Sequence, residues 1–186
     1  MNIDSLMVQG AGAMYATLGS IFDQTVSKFP NKEALVDLKR GQRWTYGEWR
    51  DDVHRCANAL TAAGVGKGDR VSTFLFNTSE LATTLFACAK IGAIFNPINF
   101  RLKSEEVAYI LNDATPKVVL FEEVLKDQVA SIQSQFPDTQ FWFINEETPS
   151  YAKNYHEEVG KAQTTMPTVE VSESDTYAIM YTSGTT

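Results

Sequence analysis

Cysteine is scarce. The 186 residues hold two, Cys56 and Cys88, each alone within an expected helix. No C-x-x-C pair or other metal-ligand spacing exists, which excludes a zinc module and a disulfide framework and leaves two buried, reduced thiols as the expectation. Long apolar runs are also missing. No window approaches the ~20 apolar residues of a membrane span, so no integral membrane segment is expected. Residues 1–16 have neither a basic start nor a long apolar stretch, which excludes a signal peptide and makes the expected location cytoplasmic. Basic residues are the minority, 16 Lys and Arg against 23 Asp and Glu, for a net charge of −7. That balance argues against a nucleic-acid or anionic-membrane partner, because phosphate backbones demand a basic face. One small nucleotide site needs only local positive potential, so a nucleotide ligand remains open. The 44% hydrophobic content is that of a folded globular chain, with length enough for a sizeable core.

What is present alternates. Leu18, Ile21, Phe22, Val26 and Phe29 fall on one helical face that Pro30 ends. Ala34–Val36 and Arg43–Thr45 read as short strands. Thr45 and Glu48 form a capping box that opens a helix with Trp49, Val53, Cys56 and Leu60 on its inner face, and Gly64 closes it. Val71–Phe76 is a strand, and Leu81–Ile91 is a helix apolar nearly all round. Ile94–Phe95, Val118–Phe121 and Phe141–Ile144 are further strands. Between them, a helix capped by Ser104 carries Val107, Ile110 and Leu111, and a second helical face carries Leu125, Val129, Ile132 and Phe136. This pattern predicts an α/β fold with a mainly parallel sheet flanked by helices. Residues 146–175 are polar, contain Pro149 and Pro167, and read as a short helix and a long connection. The expected organisation is a leader at 1–16, an α/β core at 17–145, the connection at 146–175, and a strand with the start of a loop at 176–186.

Most chemical candidates weaken on inspection. Gly64-Val65-Gly66-Lys67-Gly68-Asp69 follows a helix and precedes a strand, the reverse of a dinucleotide loop, and reads as a turn. His54 and His156 neighbour no nucleophile and read as surface or edge residues. Glu105-Glu106, Glu122-Glu123, Glu146-Glu147 and Glu157-Glu158 are adjacent in sequence, so on a helix they point apart and read as solvated starts. Asn96-Pro97-Ile98-Asn99-Phe100-Arg101 reads either as a rigid connector or as a loop lining a site.

The tail is stronger. Tyr177–Tyr181 is an apolar run, followed by Thr182-Ser183-Gly184-Thr185-Thr186. Hydroxyls can donate to phosphate oxygens, and a glycine lets successive backbone N–H groups turn toward an anion. It is not a Walker loop, since no Gly-Lys-Ser/Thr run is present. Thr182-Ser183-Gly184-Thr185-Thr186 resembles the opening of the phosphate-binding signature of the acyl-adenylate-forming (AMP-binding) superfamily. Thr45-Tyr46-Gly47-Glu48, the glycine turn running on to Arg70-Val71, Asn77, Lys90-Ile91-Gly92-Ala93 and Tyr109-Ile110-Leu111 occur in that family's order. Asn96-Pro97-Ile98-Asn99-Phe100-Arg101-Leu102 most resembles the fatty-acyl-CoA synthetase branch.

The resemblance implies an ATP-dependent acid–thiol ligase. A carboxylate, such as a fatty acid, attacks the α-phosphorus of ATP, pyrophosphate leaves, and the CoA thiol takes the acyl group. It implies ATP, Mg2+ and CoA as cofactors and a small-molecule carboxylic acid as substrate. It casts Thr182, Ser183, Gly184, Thr185 and Thr186 as phosphate-binding residues and Thr182 as a magnesium contact. The family's adenine pocket, magnesium-binding glutamate and catalytic lysine come later than residue 186. The chain is therefore expected to be the N-terminal part of the large domain, with no catalytic residue of its own and no turnover. A homo-oligomer is an expected way to cover apolar surface left by missing partners. The competing reading is a non-catalytic α/β module that binds an anion or a partner.

Overall fold

A computed structural model describes residues 16–182. Helix α1 (Leu18–Lys28) begins where the Thr17 hydroxyl accepts the Ser20 N–H at 3.1 Å. Strands β1 (Glu33–Asp37) and β2 (Gln42–Thr45) form an antiparallel hairpin apart from the main sheet. Helix α2 (Tyr46–Ala62) starts with the expected box: Glu48 N–H donates to Thr45 Oγ1, and Thr45 N–H to the Glu48 carboxylate at 2.8 Å. Gly64 and Gly68 both take positive φ, 89° and 83°, so the glycine-rich stretch is a turn.

From there the chain alternates. Strand β3 (Arg70–Phe74), helix α3 (Ser79–Ile91), strand β4 (Ile94–Pro97), helix α4 (Ser104–Ala114) and strand β5 (Val118–Phe121) follow in turn. Short helix α5 (Lys126–Ala130), strand β6 (Gln140–Phe143), strand β7 (Lys153–Asn154) and helix α6 (Tyr155–Gly160) complete the elements. The five strands from β3 to β7 form one sheet in the order β4-β3-β5-β6-β7, every pair parallel. Both faces are covered. Val71, Val118, Leu120 and Trp142 pack with Cys56, Leu60, Cys88 and Ile91 on one side. Phe74, Val119, Phe121, Phe141 and Phe143 pack with Val107, Ile110, Leu111, Val129 and Ile132 on the other. Central β5 is buried throughout, which is why its sequence reads as an unbroken apolar run. A third cluster, Phe22, Val26, Trp49 and Val53, seats α1 and the hairpin. Cys56 and Cys88 are buried and free, and burial raises both thiol pKa values, Cys56 to about 11.

Several expectations need correction. Ser104 is the first helical residue of α4 and Lys103 is the N-cap; the Glu106 carboxylate takes the Lys103 N–H at 2.8 Å. The face carrying Leu125, Val129, Ile132 and Phe136 is no continuous helix. It breaks after Ala130 into 3-10 turns, where the Ser131 hydroxyl donates to the Gln128 carbonyl at 2.7 Å and competes with the helical ladder. His54 is buried, not superficial. Its Nδ1–H donates to the Thr164 carbonyl at 3.0 Å, and burial pushes its pKa down by disfavouring the charged ring. Glu122 is buried too, and its carboxylate accepts the Phe76 N–H at 2.5 Å across the ends of β3 and β5.

The connection before the tail lacks regular structure from 163 to 172 but is stapled down by side chains. Asn58 Nδ2 donates to the carbonyls of Gln163 and Thr165 at 2.8 and 2.9 Å. Lys67 Nζ donates to the Glu170 carbonyl at 3.0 Å and pairs with Asp175 at 2.7 Å. These bonds deliver the chain to the free edge of β4.

Candidate functional site

The expected final strand is reduced to one parallel bridge, Phe95 to Ala178. Phe95 N–H donates to the Tyr177 carbonyl at 2.9 Å, and Ile179 N–H donates to the Phe95 carbonyl at 3.0 Å. A side chain adds a third bond, from Asn96 Nδ2 to the Ile179 carbonyl at 2.9 Å. Two residues on, the Tyr181 hydroxyl donates to the Asp113 carboxylate at 2.5 Å, near the end of α4. Partial burial and this carboxylate push the Tyr181 pKa up to about 12. The tail is thus tied to β4 and then to α4 before the hydroxyl-rich run begins. Thr182 is exposed. Ser183, Gly184, Thr185 and Thr186 lie outside the described residues.

A separate cleft of about 890 Å³ opens between the hairpin, the start of α3 and α6. Its lining includes Arg40, Trp44, Asp52, Glu80, Glu123 and His156, and none of the tail's described residues. Glu80 is its centre. The Glu80 side chain is 3% exposed; Arg40 Nη1 lies at 2.5 Å and His156 Nε2 at 3.3 Å. His156 Nε2 also faces the Ile144 carbonyl at 3.1 Å. Both neighbours accept, so the proton sits on Nε2. Burial alone would raise the Glu80 pKa. Hydrogen bonds from His156 and from its own N–H at the start of α3, with the Arg40 charge, outweigh it and hold the carboxyl at about 2. These groups are spent on one another, which suits a structural cluster better than acid–base chemistry. Among the described residues, no group of three or more His, Cys, Asp or Glu could hold a metal ion.

Asn96 and Asp113 bond the tail directly, and Ser72 bonds Asn96. Asn96 carried a signal, an amide inside a strand directly before a proline. Ser72 and Asp113 carried none, because their roles depend on partners 24 and 68 residues away.

The family model for AMP-binding enzymes matches residues 22–186. The chain belongs to the AMP-binding enzyme family. Among its relatives in this family, the long-chain-fatty-acid–CoA ligase FadD13 of Mycobacterium tuberculosis is 34% identical over 171 residues, covering 91% of this chain and 33% of the relative. A long-chain-fatty-acid–CoA ligase of Thermus thermophilus is also 34% identical, over 172 residues, with 91% and 31% covered. The solved Mycobacterium tuberculosis fatty acyl CoA synthetase superposes with a TM-score of 0.81 at 31% identity, covering 90% of this chain and 32% of that one. The anthranilate CoA ligase AuaEII, solved with anthranoyl-AMP, gives a TM-score of 0.86 at 25% identity, with 92% and 33% covered. The chain spans about a third of the length of these AMP-binding relatives. The parallel sheet with helices on both faces is the fold of this family's N-terminal part. Among the described residues no helix is long and apolar enough to cross a membrane.

Proposed function

We propose that this chain is the N-terminal portion of an AMP-forming acid–thiol ligase that activates a carboxylic acid with ATP and passes the acyl group to CoA. The observation that carries the reading is the family match, whose range of 22–186 takes in the hydroxyl-rich tail. A free carboxylate is a poor electrophile, and adenylation gives it a leaving group. The tail's part is electrostatic and geometric: it grips the departing β- and γ-phosphates and aligns them. Thr182, Ser183, Thr185 and Thr186 supply hydroxyl donors, and Gly184 permits close backbone approach. Thr182 is exposed, so its oxygen donor suits a hard cation such as Mg2+. Magnesium supplies neutralisation of phosphate charge when bound. The fatty-acid class of substrate is supported by the two long-chain ligases above.

The resemblance places the family's adenine pocket, magnesium-binding glutamate and catalytic lysine beyond residue 186. We therefore propose that the isolated chain does not turn over. Tyr177 and Met180, 58% and 65% exposed beside the free edge of the last bridge, are the surface through which it would self-associate. The test is ATP–pyrophosphate exchange with carboxylic acids of graded length. The complete ligase is expected to catalyse exchange with fatty acids, and the 186-residue chain to show none. Exchange by the short chain overturns its incompetence, and a complete protein indifferent to ATP overturns the function. Thr185→Val in the complete ligase is expected to lower kcat/KM for ATP by about one to two orders of magnitude, the effect of losing one hydrogen bond to a charged group. Unchanged kinetics would make the tail a turn and nothing more.

A further inference from the structure

The ladder between the tail and β4 stops one bond short, and the sequence shows why. Parallel strands exchange evenly spaced bonds. After Phe95 N–H to Tyr177 and Ile179 N–H to Phe95, the next bond would run from the N–H of residue 97 to the Ile179 carbonyl. Residue 97 is proline and has no N–H. The Ile179 carbonyl takes the Asn96 side-chain N–H instead, at 2.9 Å. A carbonyl only accepts, so Nδ2 must face it, which turns Oδ1 toward β3. There Oδ1 accepts the Ser72 hydroxyl at 2.7 Å, from the residue paired with Asn96 across the two strands. Ser72 and Asn96 are both fully buried. A buried asparagine is a poor strand former and costs free energy unless its amide is bonded. Here both ends are.

We propose that Asn96 and Pro97 form a strand-ending clamp that sets where the chain leaves the sheet, with Asn96 a positioning residue for the phosphate grip. The positioning role rests on reading residues 182–186 as that grip. Proline stops the ladder at Ile179, so Met180 to Thr182 make no further bond of this kind to β4. Asparagine holds the last paired residue, so the departure point does not drift. Thr182, the first hydroxyl of the hydroxyl-rich run, then follows a held carbonyl rather than a fraying edge.

Amide hydrogen exchange on the 186-residue chain tests the clamp without ATP. Asn96→Val is expected to speed exchange at Ile179 about tenfold, the effect of one net hydrogen bond. The β5 amides of Val119 and Leu120 should keep their rates, reporting an intact fold. Asn96→Asp keeps the acceptor for Ser72 but loses the donor, and should open Ile179 likewise. Adding Pro97→Ala to Asn96→Val restores a backbone N–H at the right place and should return Ile179 to slow exchange. Unchanged exchange at Ile179 in both single variants overturns the clamp, as does failure of Pro97→Ala to rescue. In the complete ligase, Asn96→Val should raise KM for ATP several-fold, leave KM for the carboxylic acid unchanged, and recover with Pro97→Ala. Faster exchange with an unchanged KM for ATP overturns the positioning role. Thr185→Val then separates the causes: if that variant still weakens ATP use, the phosphate reading survives and only the role of Asn96 falls.

Discussion

Glu80→Gln is expected to destabilise the chain by about 3 kcal/mol at pH 7, and the loss should vanish in acid. The carboxyl sits at about 2 in the folded protein against an ordinary 4.5. That depression, from 4.5 to about 2, corresponds to about 3 kcal/mol in favour of the ionised folded form. The folded value is the lower one, so the unfolded chain binds the proton first. The stabilisation is complete above 4.5 and disappears as pH falls toward 2. Glutamine keeps the shape but cannot carry the charge that Arg40 and His156 surround. Urea unfolding of both proteins at several pH values between 7 and 2 checks this. The gap should be widest at neutral pH and close through the acid window, and a gap independent of pH would sink the electrostatic account. Glu48, Asp69 and Asp175 also have lowered values, so the difference between the two proteins is the informative quantity. The cluster ties the hairpin, α3 and α6 together, which no backbone pairing does.

Phe121→Ala should cost about 3–5 kcal/mol, the range for emptying a large aromatic site in a packed core. Phe121 is fully buried at the end of β5. Its ring meets Phe143 at 5.0 Å, Tyr151 at 6.0 Å and Phe141 at 6.4 Å. Those contacts join β6 and the segment before β7 to the sheet centre, so little can collapse into the space. The denaturant midpoint should fall with an unchanged slope, and Phe121→Leu should recover more than half of the loss. A loss under about 1 kcal/mol for the alanine variant would mean that the aromatic cluster is loosely packed.

Much of the fold is local and was readable. The capping box at Thr45 and Glu48, the glycine turn after α2 and the unbroken apolar run of β5 depend on neighbours within a few residues or on burial of both faces. Each predicted its element. The alternation of such elements implied a parallel α/β sheet, which the β4-β3-β5-β6-β7 order bears out. The helix expected around Leu125–Phe136 failed because hydrophobic spacing reports a face, not continuity; at the break the Ser131 hydroxyl competes for the Gln128 carbonyl. His54 and Glu122 were misplaced for a different reason. Polarity argues for solvent unless a partner is known, and their partners, Thr164 and Phe76, lie 110 and 46 residues away.

The hydroxyls and the glycine of Thr182–Thr186 are what motivate the proposed phosphate role. How the chain reaches that point was decided by tertiary contact. Asn96 meets Ile179 across 83 residues, and Tyr181 meets Asp113 across 68. A hydrogen bond between distant residues leaves no periodic trace, because only the packed sheet brings its two ends together. The sequence by itself therefore determined most of the elements and their order, and it motivates the proposed chemistry of the tail. Only the tertiary structure decided which asparagine would replace a missing proline N–H and where the strand would end.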